Sequence, residues 1–445
     1  MGPELKSVGA DDKLRLMSNG YRNLTGTFDI LPEAYSVDGS VIPGSATWVS
    51  VENQIRTVMA VFGFREIRTP IMEPMELIAR GVGQDTDIVS KEMFAFERGK
   101  TRYVLRPEVT APVMRSYLQH SLDQKGGVQK LFYMGPCFRA ERPQKGRYRQ
   151  FHQFGVELIG AEKPASDVES IAVMMRIYET LGVEDTRLRI NSLGDATCRP
   201  RYRQALVDYF KPLEDQLSET SRQRLQSNPL RILDTKNEAE IKLLENAPRL
   251  PDFLDEESIE HFNEVKIRLD DLGLPFYEDS MLVRGLDYYS RTTFELESPM
   301  LGAQSALAGG GRYDLLAKDI GSKKPVPAIG FAAGFERLFI AMNAAGVDLT
   351  DTQKTDIYIV ALGDDAQRWA QRVATSWRAA GRSVQFDLKG RSMKAQMREA
   401  NRLNAARVVI VGSDELASGK VVLKEMETGH QEDVMIDALD IRIKQ

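Results

Sequence analysis

The chain has few residues that could build a disulfide framework or a metal site. Two cysteines in 445 residues are too few for a disulfide-stapled fold or a four-cysteine zinc site. We therefore expect both thiols to be reduced, as is usual in the cytoplasm. The four histidines also lack metal-ligand spacing, so we expect no metal held by cysteine or histidine. These residues are Cys137, Cys198, His120, His152, His261 and His430.

Two further motifs are missing. The first twenty residues contain no apolar core of signal-peptide length, and no later run approaches the roughly 20 apolar residues of a membrane span. We therefore expect a cytoplasmic protein with no membrane partner. The chain also has no GxxxxGK[ST] motif, so any bound phosphate must be held by something other than a P-loop.

Charge is unevenly distributed along the chain. The net charge is −5, which by itself gives no sign of nucleic-acid binding. Between Arg368 and Arg407, however, ten Lys/Arg face only two Asp/Glu, a local balance of +8. Local patches decide phosphate contacts, so this region is the candidate for an RNA surface.

Arginine recurs in five segments rich in glycine, aromatic and acidic residues. An arginine side chain presents a planar, permanently charged fork that matches phosphate oxygens two at a time. Several such forks in this setting predict a site for a nucleotide phosphate chain. The segments are Arg106–Thr110, Phe138–Pro143, Lys145–Gln153, Leu282–Tyr289 and Gly330–Leu338.

The first three quarters of the chain predict an α+β domain. Residues 48–63 have helical spacing and end at Gly63. Five runs are strand-like: 64–73, 128–141, 149–160, 292–298 and 305–311. We expect the first to be broken at Pro70 and the second to leave the sheet through Gly135–Pro136. These runs predict a largely antiparallel sheet, in which Gly309–Gly310–Gly311 would allow close approach of a ligand or a neighbouring strand.

The remaining segments predict four further parts. Residues 1–22 are a polar extension, and the α+β domain spans 23–187 and 276–345. A helical insertion, 188–275, separates the two parts of that domain. After a polar linker, 346–354, strand and helix alternate through 355–445, which predicts a small α/β domain with a mostly parallel sheet.

These motifs resemble those of the class II aminoacyl-tRNA synthetases. The runs at 63–74, 138–160 and 328–338 resemble the three motifs of the class, the first of which carries a proline at the dimer interface. The runs VRGLDYYSRTTFE and AGGGRYD resemble the two histidine-pocket signatures of the histidyl enzymes. Residues 355–445 resemble the anticodon-binding domain shared by several members. The resemblance implies ATP-dependent attachment of histidine to its tRNA by a homodimer.

The resemblance also assigns residues to ATP. Arg139 matches the arginine that binds the α-phosphate, Arg337 the one that reaches the γ-phosphate, and Arg284 a histidyl-specific arginine on the opposite side of the α-phosphate. Glu141 and Arg147 belong to the same ATP site. The family further implies Mg²⁺ bound with ATP on its β- and γ-oxygens.

A second set matches the histidine pocket of the family. Glu108 and Thr110 match the contacts to the α-amino group, and Gln153 lies near the carboxylate. Glu157 and Tyr289 match the pair that hydrogen-bonds the imidazole, a ring with one N–H and one lone pair when neutral. Of Tyr288 and Tyr289, we expect one to pack in the core, because residues on a strand alternate faces. Tyr313 and Arg284 complete the set.

The tRNA contacts that the resemblance implies lie in two regions. The loop between two predicted strands matches the one that meets the acceptor end, and the basic stripe of the last domain has helical spacing. In the insertion, Arg199, Arg201 and Arg203 are further candidates for the acceptor arm. The predicted tRNA-binding residues are Gln144, Lys145, Arg147, Arg149, Arg391, Lys394, Arg398 and Arg402.

Two alternatives remain open from the sequence. One is a non-catalytic, histidine-sensing regulatory subunit of ATP phosphoribosyltransferase, a paralogue that typically lacks the anticodon domain and has degraded signatures. The other is an RNA-binding module without turnover. The intact Arg139, Arg284 and Arg337 and the presence of residues 355–445 favour the ligase.

Overall fold

The computed structural model describes residues 21–37, 39–83, 86, 88–195, 197–235, 237–283, 286, 288–349 and 355–443, without the side chains of 234, 303 and 304. The chain divides into two compact units, residues 1–350 and 351–445. The predicted site residue Arg284 lies outside the described residues, as do most of the N-terminal extension and part of the linker.

The strands of the first unit form one large sheet and two small ones. The large sheet has the order β10-β9-β11-β12-β13-β8-β7-β3 among the described residues, and its five central pairs are antiparallel. Parallel pairing occurs only at its two ends. Strands β1 to β13 are Tyr35–Val37, Ser40–Ile42, Arg65–Glu66, Met72–Pro74, Phe94–Arg98, Thr101–Leu105, Gln129–Phe138, Gln150–Ile159, Arg187–Ser192, Phe276–Glu278, Ser290–Glu297, Ala306–Arg312 and Ala328–Gly334.

Helices cover one face of this sheet and build the region between β9 and β10. The predicted first helix is confirmed, and Gly63 follows its end with a φ of 77°, a conformation that glycine adopts without strain. Helices α1 to α10 are Ser45–Val61, Met75–Val82, Thr110–Gln119, Pro164–Thr180, Cys198–Phe210, Glu219–Ser227, Glu238–Leu244, Glu256–Asp271, Leu316–Asp319 and Phe335–Ala344.

Strand β8 shows how the sheet separates the core from the site. Phe154, Val156 and Leu158 point into a hydrophobic core that they share with α1, α4 and α10. Alternate residues of a strand face opposite sides. Gln153 and Glu157 therefore point the other way, toward the polar cavity described below.

Two strand predictions need correction. Strand β7 does not leave the sheet at Gly135–Pro136 but continues to Phe138. A proline is tolerated there because β3 pairs only with Leu131 and Phe132 of β7, so Pro136 has a neighbouring strand, β8, on one side alone. The glycine-rich start of the third class motif, which we did not predict as a strand, is β13.

The insertion is helical, but its predicted start falls inside a strand. Residues 188–192 belong to β9, which pairs with β11 in the large sheet, and the chain returns to β9 through β10. Helices α5 to α8 lie between these strands, within the first compact unit. Phe262, Val265 and Leu269 of α8 join the main core, so the insertion is packed onto the sheet rather than independent of it.

The second unit is an α/β domain as predicted, but the expectation of a mostly parallel sheet was wrong: β17 and β18 follow each other through a connection too short for a parallel crossover. Its sheet has the order β15-β14-β16-β17-β18, and the first two pairs are parallel while the last two are antiparallel. Its core includes Trp369 and Trp377 of α11, packed on the central strands. Strands β14 to β18 are Ile357–Ala361, Val384–Phe386, Arg407–Val411, Lys420–Glu425 and Gln431–Met435; helices α11 to α14 are Asp364–Ala379, Met393–Arg402, Ser413–Ser418 and Ile436–Arg442.

Candidate active site

A cavity of about 430 Å³ opens on the face of the large sheet opposite the main core. Its volume is in the range of small-molecule sites. Ten of the sequence-predicted site residues line it, although they come from six separate segments of the chain. They are Glu108, Thr110, Arg139, Glu141, Arg147, Gln153, Tyr288, Tyr289, Tyr313 and Arg337.

Glu157 lies beneath the base of the cavity: it is only 1% exposed and is not among the lining residues, but it is bonded to two that are, Thr110 and Tyr313. Thr110 Oγ1 donates to one carboxyl oxygen of Glu157 at 2.7 Å, and the Tyr313 hydroxyl donates to the other. Burial raises the pKa of Glu157 to about 8, while these two hydroxyls act in the opposite direction. Glu157 therefore changes its charge at about pH 8, and the tyrosine that donates to it is Tyr313.

A second buried carboxyl, Glu108, lies at the beginning of α3. Its two oxygens accept hydrogen bonds from the backbone N–H of Thr110 at 2.8 Å and of Ala111 at 3.0 Å. Burial raises the pKa of Glu108, although these N–H groups and the charge of Arg139 lower it. The helix beginning thus orients a carboxyl at the cavity wall.

Three tyrosines form the wall opposite β8. Both Tyr288 and Tyr289 line the cavity and both also belong to a buried hydrophobic cluster, so the expected division into one core tyrosine and one pocket tyrosine was wrong. The two residues precede β11 in an irregular segment, and strand alternation therefore does not apply to them. Their ring centroids lie 4.7 Å apart, and the ring of Tyr288 meets that of Tyr313 edge to face at 5.6 Å.

Glycines at the floor of the cavity leave room that a side chain would fill. A Cβ on Gly330 would lie 2.1 Å from a carboxyl oxygen of Glu157, the residue opposite it in the sheet. A Cβ on Gly311 would lie 2.8 Å from the ring of Tyr289 and 2.7 Å from the Thr292 carbonyl. The glycines of this floor thus allow close packing of neighbouring strands and of a pocket tyrosine.

Arginines line the wider end. Arg139 donates from Nε to the Pro107 carbonyl at 3.1 Å, and its guanidinium lies 5.3 Å from the centroid of the Phe151 ring. Arg337 donates to the Ala306 carbonyl at 2.5 Å. Burial and the nearby charge of Arg147 lower the pKa of Arg337, so the site holds cations close together. Such a cluster is suited to a polyanion.

Arg106, the arginine of the first of the five arginine segments, does not line the cavity. Arg106 is buried, and its Nη1 donates to the carbonyl and hydroxyl oxygens of Thr69 while its Nε donates to Pro136. Its guanidinium therefore joins two backbone segments in the interior.

The predicted acceptor-end loop is the tip of the β7–β8 hairpin. Gln144 and Arg147 exchange backbone hydrogen bonds of 3.1 and 2.8 Å, which closes a tight turn with Lys145 exposed at its tip. Arg149 donates instead to the Thr25 carbonyl at 3.3 Å and to the Glu141 carbonyl at 3.5 Å. The guanidinium of Arg149 therefore attaches the hairpin to the N-terminal segment.

The basic stripe of the second unit is only partly available. Arg391, which lies before α12, is paired with Asp387 and with Glu399, and Arg402 is also paired with Glu399. Lys394 and Arg398 are exposed on α12. No ion pair of either is found within residues 355–443, so their charges are the ones open to a phosphate.

Several cavity residues escaped the sequence analysis. Arg231 belongs to a short 3₁₀ segment of the insertion and also lines the cavity, as do Leu286 and Glu295. Their contribution depends on chain segments that meet only in the fold. The Nδ1 of His152 lies 3.0 Å from an oxygen of Glu336, which also accepts from the His152 backbone N–H.

The arginines of the insertion mainly serve its own structure. Arg199 Nη1 donates to the Tyr289 carbonyl at 2.9 Å, which ties α5 to a cavity wall. Arg201 and Arg203 donate to the carbonyls of Phe253 and Ser227. Contact with tRNA would need the remaining donors of these groups.

A group of possible metal ligands lies at the same α5. Polar atoms of Asp195, Cys198 and Asp255 lie within 4.8 Å of one another. Both carboxylates, however, accept backbone N–H groups at helix beginnings, Asp195 from Thr197 and Cys198 and Asp255 from Ser258. Helix capping thus accounts for their position. Both cysteines are buried and free.

Comparison with known proteins decides the family. Residues 43–338 match the family model described as histidyl-tRNA synthetase, and residues 356–445 match an anticodon binding domain. The chain belongs to the histidyl-tRNA synthetase family. Both halves of the match agree with the fold: the first covers the class II sheet with its insertion, and the second covers the α/β unit. The predicted fold class is thereby confirmed.

Relatives of this family align over nearly the whole chain. It is 46% identical over 422 residues to a histidine--tRNA ligase of Chlorobium luteolum, with 94% of this chain and 96% of the relative covered. It is 47% identical over 414 residues to one of Chloroherpeton thalassium, at 92% and 95% coverage. The solved structure of apo Staphylococcus aureus histidyl-tRNA synthetase is similar, with a TM-score of 0.80, 38% identity, and coverage of 96% of this chain and 100% of that one.

The regulatory-subunit alternative is not supported. The anticodon domain that such paralogues typically lack is present, and the similarity to a histidyl-tRNA synthetase extends over 96% of the chain. In the part of the chain that the structure describes, no helix combines the length and the apolarity needed to cross a bilayer.

Proposed function

We propose that the cavity activates histidine with ATP and that the two units together deliver the histidyl group to tRNA. By its family the chain is a histidine–tRNA ligase, and its chemistry is ATP-dependent. The site is assigned from one observation, which is that a single cavity has two chemically different ends. A buried carboxyl held by two hydroxyls lies at its base, and a group of arginines lies at its wide end.

The base of the cavity is suited to an imidazole. We propose that Glu157 accepts the ring N–H and that a tyrosine hydroxyl, from Tyr289 or Tyr313, satisfies the other nitrogen. Glu108 and Thr110 then face the α-amino group, and Gln153 the carboxylate. A site whose buried polar groups need these partners rejects isosteres that lack them, because its own groups would be left unpaired.

The wide end is suited to ATP. A carboxylate oxygen of histidine attacks the α-phosphorus, pyrophosphate leaves, and histidyl-adenylate forms. Arg139 stabilises charge on the α-phosphate, Arg337 and Arg147 hold the distal phosphates, and Arg284, assigned from the family, approaches the α-phosphate from the other side. Preorganised charge of this kind supplies most of the rate enhancement in such transfers.

Mg²⁺ fits this end as part of the ATP complex. Glu141 and Glu295 line the cavity, and their charges oppose the lowering of the Arg337 pKa by burial, so both carboxylates lie near that arginine. They could therefore supply oxygen ligands beside the expected phosphates. Mg²⁺ prefers one or two carboxylates together with phosphate oxygens. When bound, the ion would neutralise charge on the pyrophosphate, while the arginines orient the α-phosphate.

The second step requires tRNA. The 3′-hydroxyl of the terminal adenosine attacks the histidyl carbonyl carbon, and AMP leaves. We propose that the hairpin tip, with Gln144, Lys145 and Arg147, meets the acceptor end and that Lys394 and Arg398 hold the anticodon arm. The enzyme is proposed to act as a homodimer in the cytoplasm.

Histidine-dependent exchange of labelled pyrophosphate into ATP tests the proposal directly. We expect exchange with histidine and none above background with the other standard amino acids. Purified full-length chain with Mg²⁺ and ATP suffices, since adenylate formation needs no tRNA. A chain that binds histidine by calorimetry but supports no exchange with any amino acid would overturn the assignment.

A further inference from the structure

A fully buried arginine, Arg312, lies at the end of β12 beside the base of the cavity. Its Nε lies 3.2 Å from both oxygens of Asp167 in the first turn of α4, and both charged side chains are 0% exposed. Its Nη2 also donates to Ser166 Oγ at 2.8 Å. A buried ion pair adds little net stability compared with apolar packing, so its main consequence here is a fixed geometry.

The two segments that Arg312 joins carry the groups at the base of the cavity. Tyr313 follows Arg312 directly and donates its hydroxyl to Glu157. Ala161 and Lys163 lie in the turn after β8, the strand that carries Glu157, and Arg312 donates to both their carbonyls, at 2.9 and 3.4 Å. A shift of this guanidinium would therefore move Tyr313 and Glu157 relative to each other.

Helix α8 of the insertion contributes the outer end of this network. His261 is 8% exposed, and its Nε2 lies 3.2 Å from Asp167 Oδ1. Burial by itself would raise the pKa of Asp167, but the hydrogen bond from His261 and the charge of Arg312 hold that pKa below its usual value. An ionised carboxylate only accepts hydrogen bonds, so His261 is the donor.

We propose that His261, Asp167 and Arg312 are positioning residues that transmit the placement of helix α8 to the histidine-binding end of the cavity. This inference rests on the proposed function, because it requires Glu157 and Tyr313 to contact the imidazole. Through this network, events at the insertion change the affinity for histidine. The affinity for ATP, which is held at the other end of the cavity, should stay nearly constant.

Calorimetric titration of histidine into the full-length chain tests the network. His261→Leu introduces an apolar side chain of similar size and removes the donor. We expect it to raise the Kd for histidine by up to about tenfold, the factor that corresponds to the whole free energy of one hydrogen bond to a charged group. His261→Gln, whose amide can donate, should restore most of the affinity. Lys266→Ala is the matched control, because Lys266 lies on the same helix and pairs with Glu278.

A double-mutant cycle separates positioning from general loosening. If the network acts through Tyr313, His261→Leu should change the Kd by less than about twofold in a Tyr313→Phe background. An equal effect in both backgrounds, or an equal rise in the KM for ATP in pyrophosphate exchange, would overturn the proposal. If thermal unfolding shows that His261→Leu does not fold, Ser166→Ala replaces it. We then expect a smaller rise in the Kd for histidine, which should again disappear in the Tyr313→Phe background.

Glu157→Gln distinguishes a failure of this inference from a failure of the proposed site. If that substitution leaves histidine affinity unchanged, the proposed imidazole contact is wrong. If it weakens histidine tenfold or more while His261→Leu and Ser166→Ala have no effect, the imidazole contact stands and the network is overturned.

Discussion

Burial raises the pKa of Glu157 to about 8, and the hydroxyls of Thr110 and Tyr313 only partly oppose it. An unfolded glutamate loses its proton near pH 4.3. Between these two values the folded chain therefore binds a proton that the unfolded chain has released. The contribution of Glu157 to stability is fully present below about pH 4.3 and is lost as the pH rises through about 8.

This linkage predicts a pH-dependent difference between the wild-type chain and Glu157→Gln. Because the glutamine does not titrate, the wild type should lose stability relative to the variant between pH 5 and pH 9, by up to several kcal/mol on the scale of 1.36 kcal/mol per pKa unit. Denaturant unfolding at several pH values measures it. Exposed Glu97→Gln is the control, and a wild-type-to-variant difference that stays constant with pH would contradict the buried, protonated carboxyl.

For single residues, the sequence predicted which residue types build the site. It did not predict what each individual arginine contacts. Arg106 and Arg139 stand in similar motifs, yet one guanidinium binds backbone carbonyls in the interior and the other lines the cavity. Arg312 stands in the run AGGGRYD but was assigned no function from the sequence, although its side chain is among the most buried. The partners of a guanidinium come from distant segments, so sequence spacing does not reveal them.

Among the elements, α12 carries the most direct prediction. Arg391 and Arg402 form ion pairs with Asp387 and Glu399, whereas Lys394 and Arg398 are exposed. Replacing both of the latter with alanine should raise the KM for tRNA and reduce the salt dependence of tRNA binding by about two phosphate contacts. Pyrophosphate exchange without tRNA should remain unchanged.

The same loss of charge elsewhere provides the control. Arg368 on α11 and Arg442 on α14 are exposed and ion-paired, so Arg368→Ala with Arg442→Ala changes the net charge equally. Aminoacylation kinetics and filter binding at several salt concentrations compare the two variants. Equal effects of both pairs would mean that only overall charge matters and that α12 has no particular contact.

Elements were predicted well where their periodicity is local. The helix after Gly44 and the strand–helix alternation of the second unit follow from apolar spacing, and the structure has them. The strand β13 was missed, because AIGFAAG lacks the polar alternation of an exposed strand: one face packs in the core, and the small residues of the other form the floor of the cavity. Strand alternation also misled the prediction for Tyr288 and Tyr289, which lie before β11.

At the scale of the whole molecule, an apolar surface supports the proposed dimer. Met72 and Phe96 are 56% and 42% exposed and belong to the same three-stranded sheet, β4-β6-β5, whose first strand is the end of the first class motif. Large apolar side chains grouped on a surface commonly mark an interface. Met72→Glu with Phe96→Glu should therefore shift sedimentation from about twice 50.0 kDa to a single chain.

Ile267→Glu is the matched control, because Ile267 is 55% exposed on α8 of the insertion, away from that sheet. It should leave the sedimenting mass unchanged. A wild-type chain that sediments as 50.0 kDa at micromolar concentration would contradict the dimer itself.

The sequence by itself determined the class of fold, the two-unit organisation and the family, because these depend on local periodicity and on short motifs whose residues are contiguous. The tertiary structure alone decided which hydroxyls hold Glu157, which arginines face the cavity and which remain inside, and how the insertion reaches the base of the pocket. Those relations join residues as far apart as Asp167, His261 and Arg312. Such contacts arise when strands pair and helices pack, and no spacing along the chain encodes them.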